Sequence, residues 1–241
     1  MCGRFTLALS PEDVASLLGL NTALDEELGL APRWNVAPGQ NVVAAAAPNP
    51  DAPVEAALFR WGLVPSWAGD PGIGNKLINA RSETVADKPS FRAAYRQRRC
   101  LVPADGFYEW QRKGEAKQPW IFRAKDEPGF CFAGLWEVWN PPAGGDPLHT
   151  CTLLTTAANE LMAPIHDRMP VIVRGDDREV WLKAEAGDRH LLELMAPLPA
   201  DLMTAHPVSD LVNSPRNDEP ACAEPIEPPP ETDGGPQGRL F

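Results

Sequence analysis

Between residues 100 and 175 the chain holds six short apolar runs, CLVPA, GFYEWQR, PWIFRA, FCFAGLWEVW, TCTLLTTA and PVIVRG, most of them set apart by turn-forming residues. Short segments rich in Val, Phe, Trp and Thr and bounded by Gly, Pro, Asp or Asn read as strands. They follow one another too closely for a helix to lie between each pair, as a parallel sheet requires. The expected fold is therefore α+β, a single domain with a mostly antiparallel sheet. Two further strands are expected in NVVAAAA, from residue 41, and in AALFRWGLV at 56–64.

Helical signals are fewer. Pro11–Leu20 reads as a helix, with Ser10 as its N-cap and Glu12 and Asp13 in the first turn. SETVADKPSFRAAYRQRR, at 82–99, is helix-forming but interrupted by Pro89, and short helices are expected at Ala158–Ala163 and Arg189–Met195. APRWNVAPGQ, at 31–40, is too rich in turn formers to be regular, and PSWAGDPGIGN reads as a long loop.

The 241 residues are 44% hydrophobic, enough for a proper core, and carry no run of about twenty apolar residues that could span a membrane. The start, MCGRFTLALSPED, has none of the features of a secretory signal, so a cytoplasmic protein is expected. From Asp218 onward the sequence is rich in Pro, Glu and Gly, with little to bury. The folded unit is accordingly placed at 1–220, and 221–241 is expected to be a disordered acidic tail. Net charge is −11, of which the last 24 residues supply −5 through six acids and one base. A nucleic-acid partner would then need a focused patch of arginines on an otherwise acidic molecule.

The five cysteines, Cys2, Cys100, Cys131, Cys151 and Cys222, form no CxxC pair, which argues against structural zinc. Cys100, Cys131 and Cys151 lie in strand-like runs and read as buried small hydrophobes; Cys222 falls in the tail. Cys2 is set apart by position. If Met1 is removed, it carries a thiol and a free α-amine on adjacent carbons, and that pair reacts with an aldehyde twice. The amine gives a Schiff base, and the thiol closes on the imine carbon to form a thiazolidine. An α-amine with a pKa near ~7.7 is partly unprotonated at neutral pH. The bland alternative is a frayed terminus with no role.

Arg4 follows Cys2-Gly3 and suits bidentate phosphate contact. In Asn79-Ala80-Arg81-Ser82-Glu83-Thr84 an amide and a cation stand at i and i+2, on one face if extended, or else Ser82 caps a helix. Glu109, among aromatics in GFYEW, is either a salt-bridged strand residue or an acid with a raised pKa. His166, in a loop between prolines and flanked by Asp167 and Arg168, is the histidine placed for proton transfer.

Taken together, MCGRF, RWNVAPGQ, RWGLVPSWA, NARSET, RRCLVPADGFYEW, GLWEVW, LLTTAANELMAPIHDRMPVI and VNSPRNDEP, in that order, resemble the SRAP (SOS response-associated peptidase) family, whose bacterial and human members are abasic-site processing proteins. The resemblance runs over roughly residues 2–220 and implies a barrel-like sheet core in a domain that acts as a monomer and needs no cofactor or metal. It further implies a covalent cross-link from Cys2 to the opened sugar of an abasic site in single-stranded DNA, placing the protein on the nucleoid when bound, with limited autoproteolysis exposing the Cys2 amine. Asn79 would hold the opened deoxyribose or the Cys2 backbone. Glu109 and His166 would shuttle protons, Arg4, Arg81 and Arg168 would hold flanking phosphates, and Trp67 and Pro38 would stack against bases. Three other readings stay open: a cysteine peptidase using Cys2 and His166 oriented by Glu109, a passive single-strand binder, and a metal site of Cys2, Glu109 and His166.

Overall fold

A computed structural model describes residues 2–20, 24, 28–48, 52–114 and 116–227. The first third of the chain gives β1 (Phe5–Leu7), α1 (Pro11–Leu18), β2 (Arg33–Val36), β3 (Asn41–Ala46), β4 (Glu55–Trp61) and β5 (Asn79–Arg81). Next come α2 (Arg92–Gln97), β6 (Arg99–Ala104), β7 (Gly106–Lys113), β8 (Ala116–Ala124), β9 (Phe130–Trp139) and β10 (Leu148–Ala157). The remainder holds β11 (Arg168–Pro170), β12 (Ile172–Val173), α3 (Asp177–Lys183), α4 (Arg189–Glu193) and β13 (Met203–Pro207).

Five of the strands close on themselves in the order β10, β4, β3, β6, β9, with β9 pairing back onto β10. Closure leaves the barrel no open edge. Its pairs are antiparallel except β10 with β4. Small residues make so narrow a ring possible: Ala44 and Ala45 are fully buried, and Gly134 stands between Cys100 and Leu153 on the flanking strands. β6 is buried along its whole length because α1, α2 and α3 pack against it. Arg99 ties those layers together, its guanidinium donating to the backbone oxygens of Tyr95 (2.7 Å), Trp181 and Ala184.

A second antiparallel sheet, ordered β13-β8-β7-β1-β2, packs on the barrel. An aromatic cluster fills the space between, with Phe107 stacked on Phe122 at 5.2 Å and edge-on to Phe130 and Phe132. Asp105 and Gly106, which read as a turn, are where the chain leaves β6 for β7. The Asp105 carboxylate is buried there and accepts from Ala8 N (3.2 Å) and Arg123 Nη1 (3.0 Å).

The antiparallel core and the helices at 11–18 and 189–193 agree with expectation, and Ser10 does cap α1 through Asp13 N. Elsewhere the structure differs. Residues 33–36 form a strand because the Asp218 carboxylate, far along the chain, accepts from Trp34 N and Asn35 N. Only Arg92–Gln97 of the 82–99 stretch is helical; Ser82 continues from a strand, its N–H donating to Thr155 O. Residues 158–163 are turns rather than a helix, since the Asn159 side chain accepts from Met162 N at 2.9 Å.

The boundary at residue 220 moves outward. Cys222 is fully buried, Ala223 is nearly so, and Ile226 N donates to Pro207 O, so residues 221–227 belong to the folded unit. They form a strap that covers Tyr108 and Ile121 on the second sheet. The rest of the expected tail lies outside the described residues. Among the described residues no helix is long and apolar enough to cross a membrane.

Candidate functional site

Phe5 opposes Phe107 and Thr6 opposes Gly106, and Tyr108 N donates to Arg4 O at 3.0 Å, carrying the β1–β7 pairing toward Cys2. Continued in that register, Cys2 comes level with Trp110 and Gly3 with Glu109. Cys2 is fully buried, and its carbonyl accepts from Asn79 Nδ2 at 2.8 Å. Asn79 is held by β5, which runs parallel to β10 with Asn79 opposite Leu153. Its Oδ1 is buried with no hydrogen-bond partner among the described residues.

Burial pushes the Cys2 thiol well above its ordinary pKa, and the nearby Glu109 carboxylate pushes it further the same way. The thiol therefore keeps its proton at neutral pH. Glu109 itself is 3% exposed on β7. It lines an open pocket together with Trp110, Arg112, Lys117, Pro164, Ile165 and His166. The expected acid and the expected histidine, 57 positions apart in the sequence, thus face one pocket.

The His166 ring is fixed by its own turn. Nδ1 accepts from Arg168 N at 2.9 Å, which puts the proton of the neutral ring on Nε2. Asp167 Oδ1 also lies 3.0 Å from Nδ1. One ring nitrogen cannot serve both partners at once; the backbone bond suits the neutral ring and the carboxylate suits the protonated one.

The expected phosphate ligands separate into two kinds. Arg81 is exposed at the end of β5, beside β10. Arg168 is engaged, with its guanidinium forked onto Glu83 and a third bond, 2.6 Å, to Thr155 O. Arg4 is more deeply engaged. Nη1 donates to Asn35 Oδ1 (2.7 Å) and Val212 O (2.6 Å), and Nη2 to Asn213 O (3.3 Å). Geometry makes Arg4 an anchor between the segment that carries Cys2, β2 and the backbone at 212–213.

Pro38 sits in the turn before β3, and Trp67 is 62% exposed. The loop bearing Trp67 is firmly held: Glu137 accepts from Ser66 N (3.1 Å) and pairs with Arg98, and Trp139 Nε1 donates to Ala68 O (2.7 Å). Sequence reasoning passed over this support, and over Trp110, Arg112 and Lys117. The signal for the last two was the basic turn QRKGEAK, which begins two residues after Glu109. Among the described residues no three His, Cys, Asp or Glu side chains gather to hold a metal ion.

Fold and site together define a one-domain α+β barrel protein in which a buried second residue lies near an acid that shares an open pocket with a histidine. The chain belongs to the SOS response associated peptidase (SRAP) family, whose sequence pattern matches residues 1–215. It is 45% identical over 226 residues to the abasic site processing protein YoqW of Bacillus subtilis (strain 168), covering 93% of this chain and 99% of that one. It is 31% identical over 231 residues to the abasic site processing protein YedK of Escherichia coli (strain K12), covering 94% and 100% respectively. Against the abasic site processing protein HMCES of Gallus gallus the identity is 42% over 193 residues, covering 70% of this chain and 57% of that protein. A crystal structure of a Bacteroides thetaiotaomicron protein superposes with a TM-score of 0.84 at 26% identity, covering 94% of this chain and all of that one.

Proposed function

We propose that this protein processes abasic sites in single-stranded DNA by capturing the sugar aldehyde on Cys2 once Met1 has been removed. The freed amine of Cys2 condenses with the aldehyde, losing water to give an imine. The Cys2 sulfur then bonds to the imine carbon, its proton passes to the nitrogen, and a thiazolidine ring closes. The observation that carries this reading is Cys2 itself, buried beside Glu109 with its carbonyl held by Asn79.

Each neighbour has a role in that sequence. Asn79 fixes the Cys2 backbone, so that amine and thiol are presented from a rigid seat. Because burial keeps the thiol protonated, ring closure needs a neighbouring group to take that proton as the sulfur bonds to carbon. Glu109 is placed to relay protons between amine, carbinolamine and thiol, and His166, through Nε2, to serve the sugar hydroxyl released on ring opening. Arg81 flanks the strand as a phosphate ligand, Arg168 joins it only by exchanging Glu83 for a phosphate, and Trp67 and Pro38 stack against unpaired bases.

The test is intact mass and denaturing-gel mobility of protein lacking Met1, incubated with single-stranded DNA that carries one abasic site. A heat-stable adduct is expected from the native chain and none from Cys2→Ala. Acetylating the Cys2 amine should abolish the adduct, and an adduct formed by acetylated protein would sink the thiazolidine mechanism.

A further inference from the structure

The outer end of the β7–β8 hairpin carries two cations that the fold does not use. Arg112 and Lys117 stand directly opposite each other in the register. Both are exposed, and among the described residues neither side chain makes a hydrogen bond or an ion pair. Like charges facing each other across a strand pair destabilise it. By contrast, Arg33, Arg98, Arg123, Arg168 and Arg174 are each paired with a carboxylate. In a chain of net charge −11, an unneutralised cation pair is the kind of focused patch that an anionic ligand needs.

Its position says which ligand. Both residues line the pocket that contains Glu109 and His166. Strand alternation puts Arg112 on the same face as Trp110, whose ring is locked by Nε1 donating to Asn213 Oδ1 at 2.7 Å. Arg112 lies two residues beyond Trp110, about 7 Å along the strand, and Trp110 is level with Cys2 in the β1–β7 register.

We propose that Arg112 and Lys117 together bind one backbone phosphate of single-stranded DNA, within two linkages of the abasic nucleotide, with the Trp110 ring as the platform for the adjoining sugar or base. The proposal rests on the reading of Cys2 as the residue that captures that nucleotide. A phosphate between the two cations removes their repulsion and accepts from a guanidinium fork and an ammonium at once.

The test uses a single strand in which a tetrahydrofuran ring replaces the abasic sugar, so that no aldehyde is present and only non-covalent binding is read. Methylphosphonate linkages, which are uncharged, are placed one at a time on either side of that position. Native protein is expected to bind about tenfold more weakly when one linkage within two of the ring is neutralised. Arg112→Gln/Lys117→Gln should bind the ordinary strand about tenfold more weakly and be indifferent to that same substitution. Its plot of log affinity against log salt should be shallower by about 0.7. Unchanged affinity in the double variant, or equal sensitivity of both proteins at every linkage, overturns the phosphate site. Cross-linking of a true abasic strand is measured alongside. Loss of the linkage pattern with cross-linking intact removes the phosphate site alone. The pattern without any adduct from native protein removes the reading of Cys2 and leaves the phosphate site standing.

Discussion

Arg4 stands two residues from Cys2 and reaches the far side of the sheet, where Val212 O and Asn35 Oδ1 take its Nη1. Residue type alone fits two roles, phosphate ligand or anchor, and the sequence favours the first because the partners of the second lie 31 and 208 positions away. Removing a half-buried guanidinium strands those acceptors, so Arg4→Ala should cost about 2–3 kcal/mol of stability in urea unfolding. The salt dependence of single-strand binding should meanwhile stay near that of native protein. A slope shallower by about 0.7 with stability unchanged would return Arg4 to the phosphate track. Cys2, Asn79, Glu109 and His166 stand out in the sequence as candidates because each carries a distinctive chemistry within a recognisable motif. That Asn79 grips the Cys2 carbonyl was not, because that contact spans 77 positions and depends on β5 pairing with β10.

At the scale of elements, the strands of the barrel were readable because their apolar runs are local and bounded by turn formers. β1, β2, β11 and β13 were not, being three to five residues long and existing as strands only through distant partners. The tightness of the barrel was also hidden, and Gly134 measures it. β9 is gripped on both sides there, by Cys100 on β6 and Leu153 on β10. A Cβ at 134 would lie 2.7 Å from Cys100 Sγ and 3.2 Å from Thr152 O. The strand cannot move aside without breaking a ladder, so Gly134→Ala should lose about 1–3 kcal/mol. Cys100→Ala makes room, and the two substitutions together should be milder than their sum by about 1 kcal/mol in a double-mutant cycle. Additive losses would mean that the sulfur does not set the constraint and that the Thr152 backbone does.

Across the whole molecule, the N-terminal strand that carries Cys2 is clamped by the C-terminal strap, so the seat of the reactive residue depends on both ends of the fold. Asp218 holds Trp34 N and Asn35 N and pairs with Arg33; Asn217 O accepts from Asn35 Nδ2 at 2.7 Å; and Cys222 and Ala223 cover Tyr108 and Ile121. Composition concealed this, because a Pro- and Glu-rich stretch has little to bury and the few residues that do bury, Cys222 and Ala223, are small. The family pattern ends at residue 215, which suggests the same cut. Compared with a chain of residues 1–227, one ending at 215 loses the charged hydrogen bonds of Asp218 and the cover over Tyr108, together about 4 kcal/mol. For a domain of this size that corresponds to a melting temperature lower by about 10 °C. The shortened chain should also cross-link abasic DNA more slowly at temperatures where it remains folded, since β2, freed from Asp218 and Asn217, braces the strand that leads to Cys2 less firmly. Equal melting temperatures for the two chains would place the edge of the folded unit before Asp218. With the strap then idle, Cys2 would owe its position to Asn79 and β7 alone.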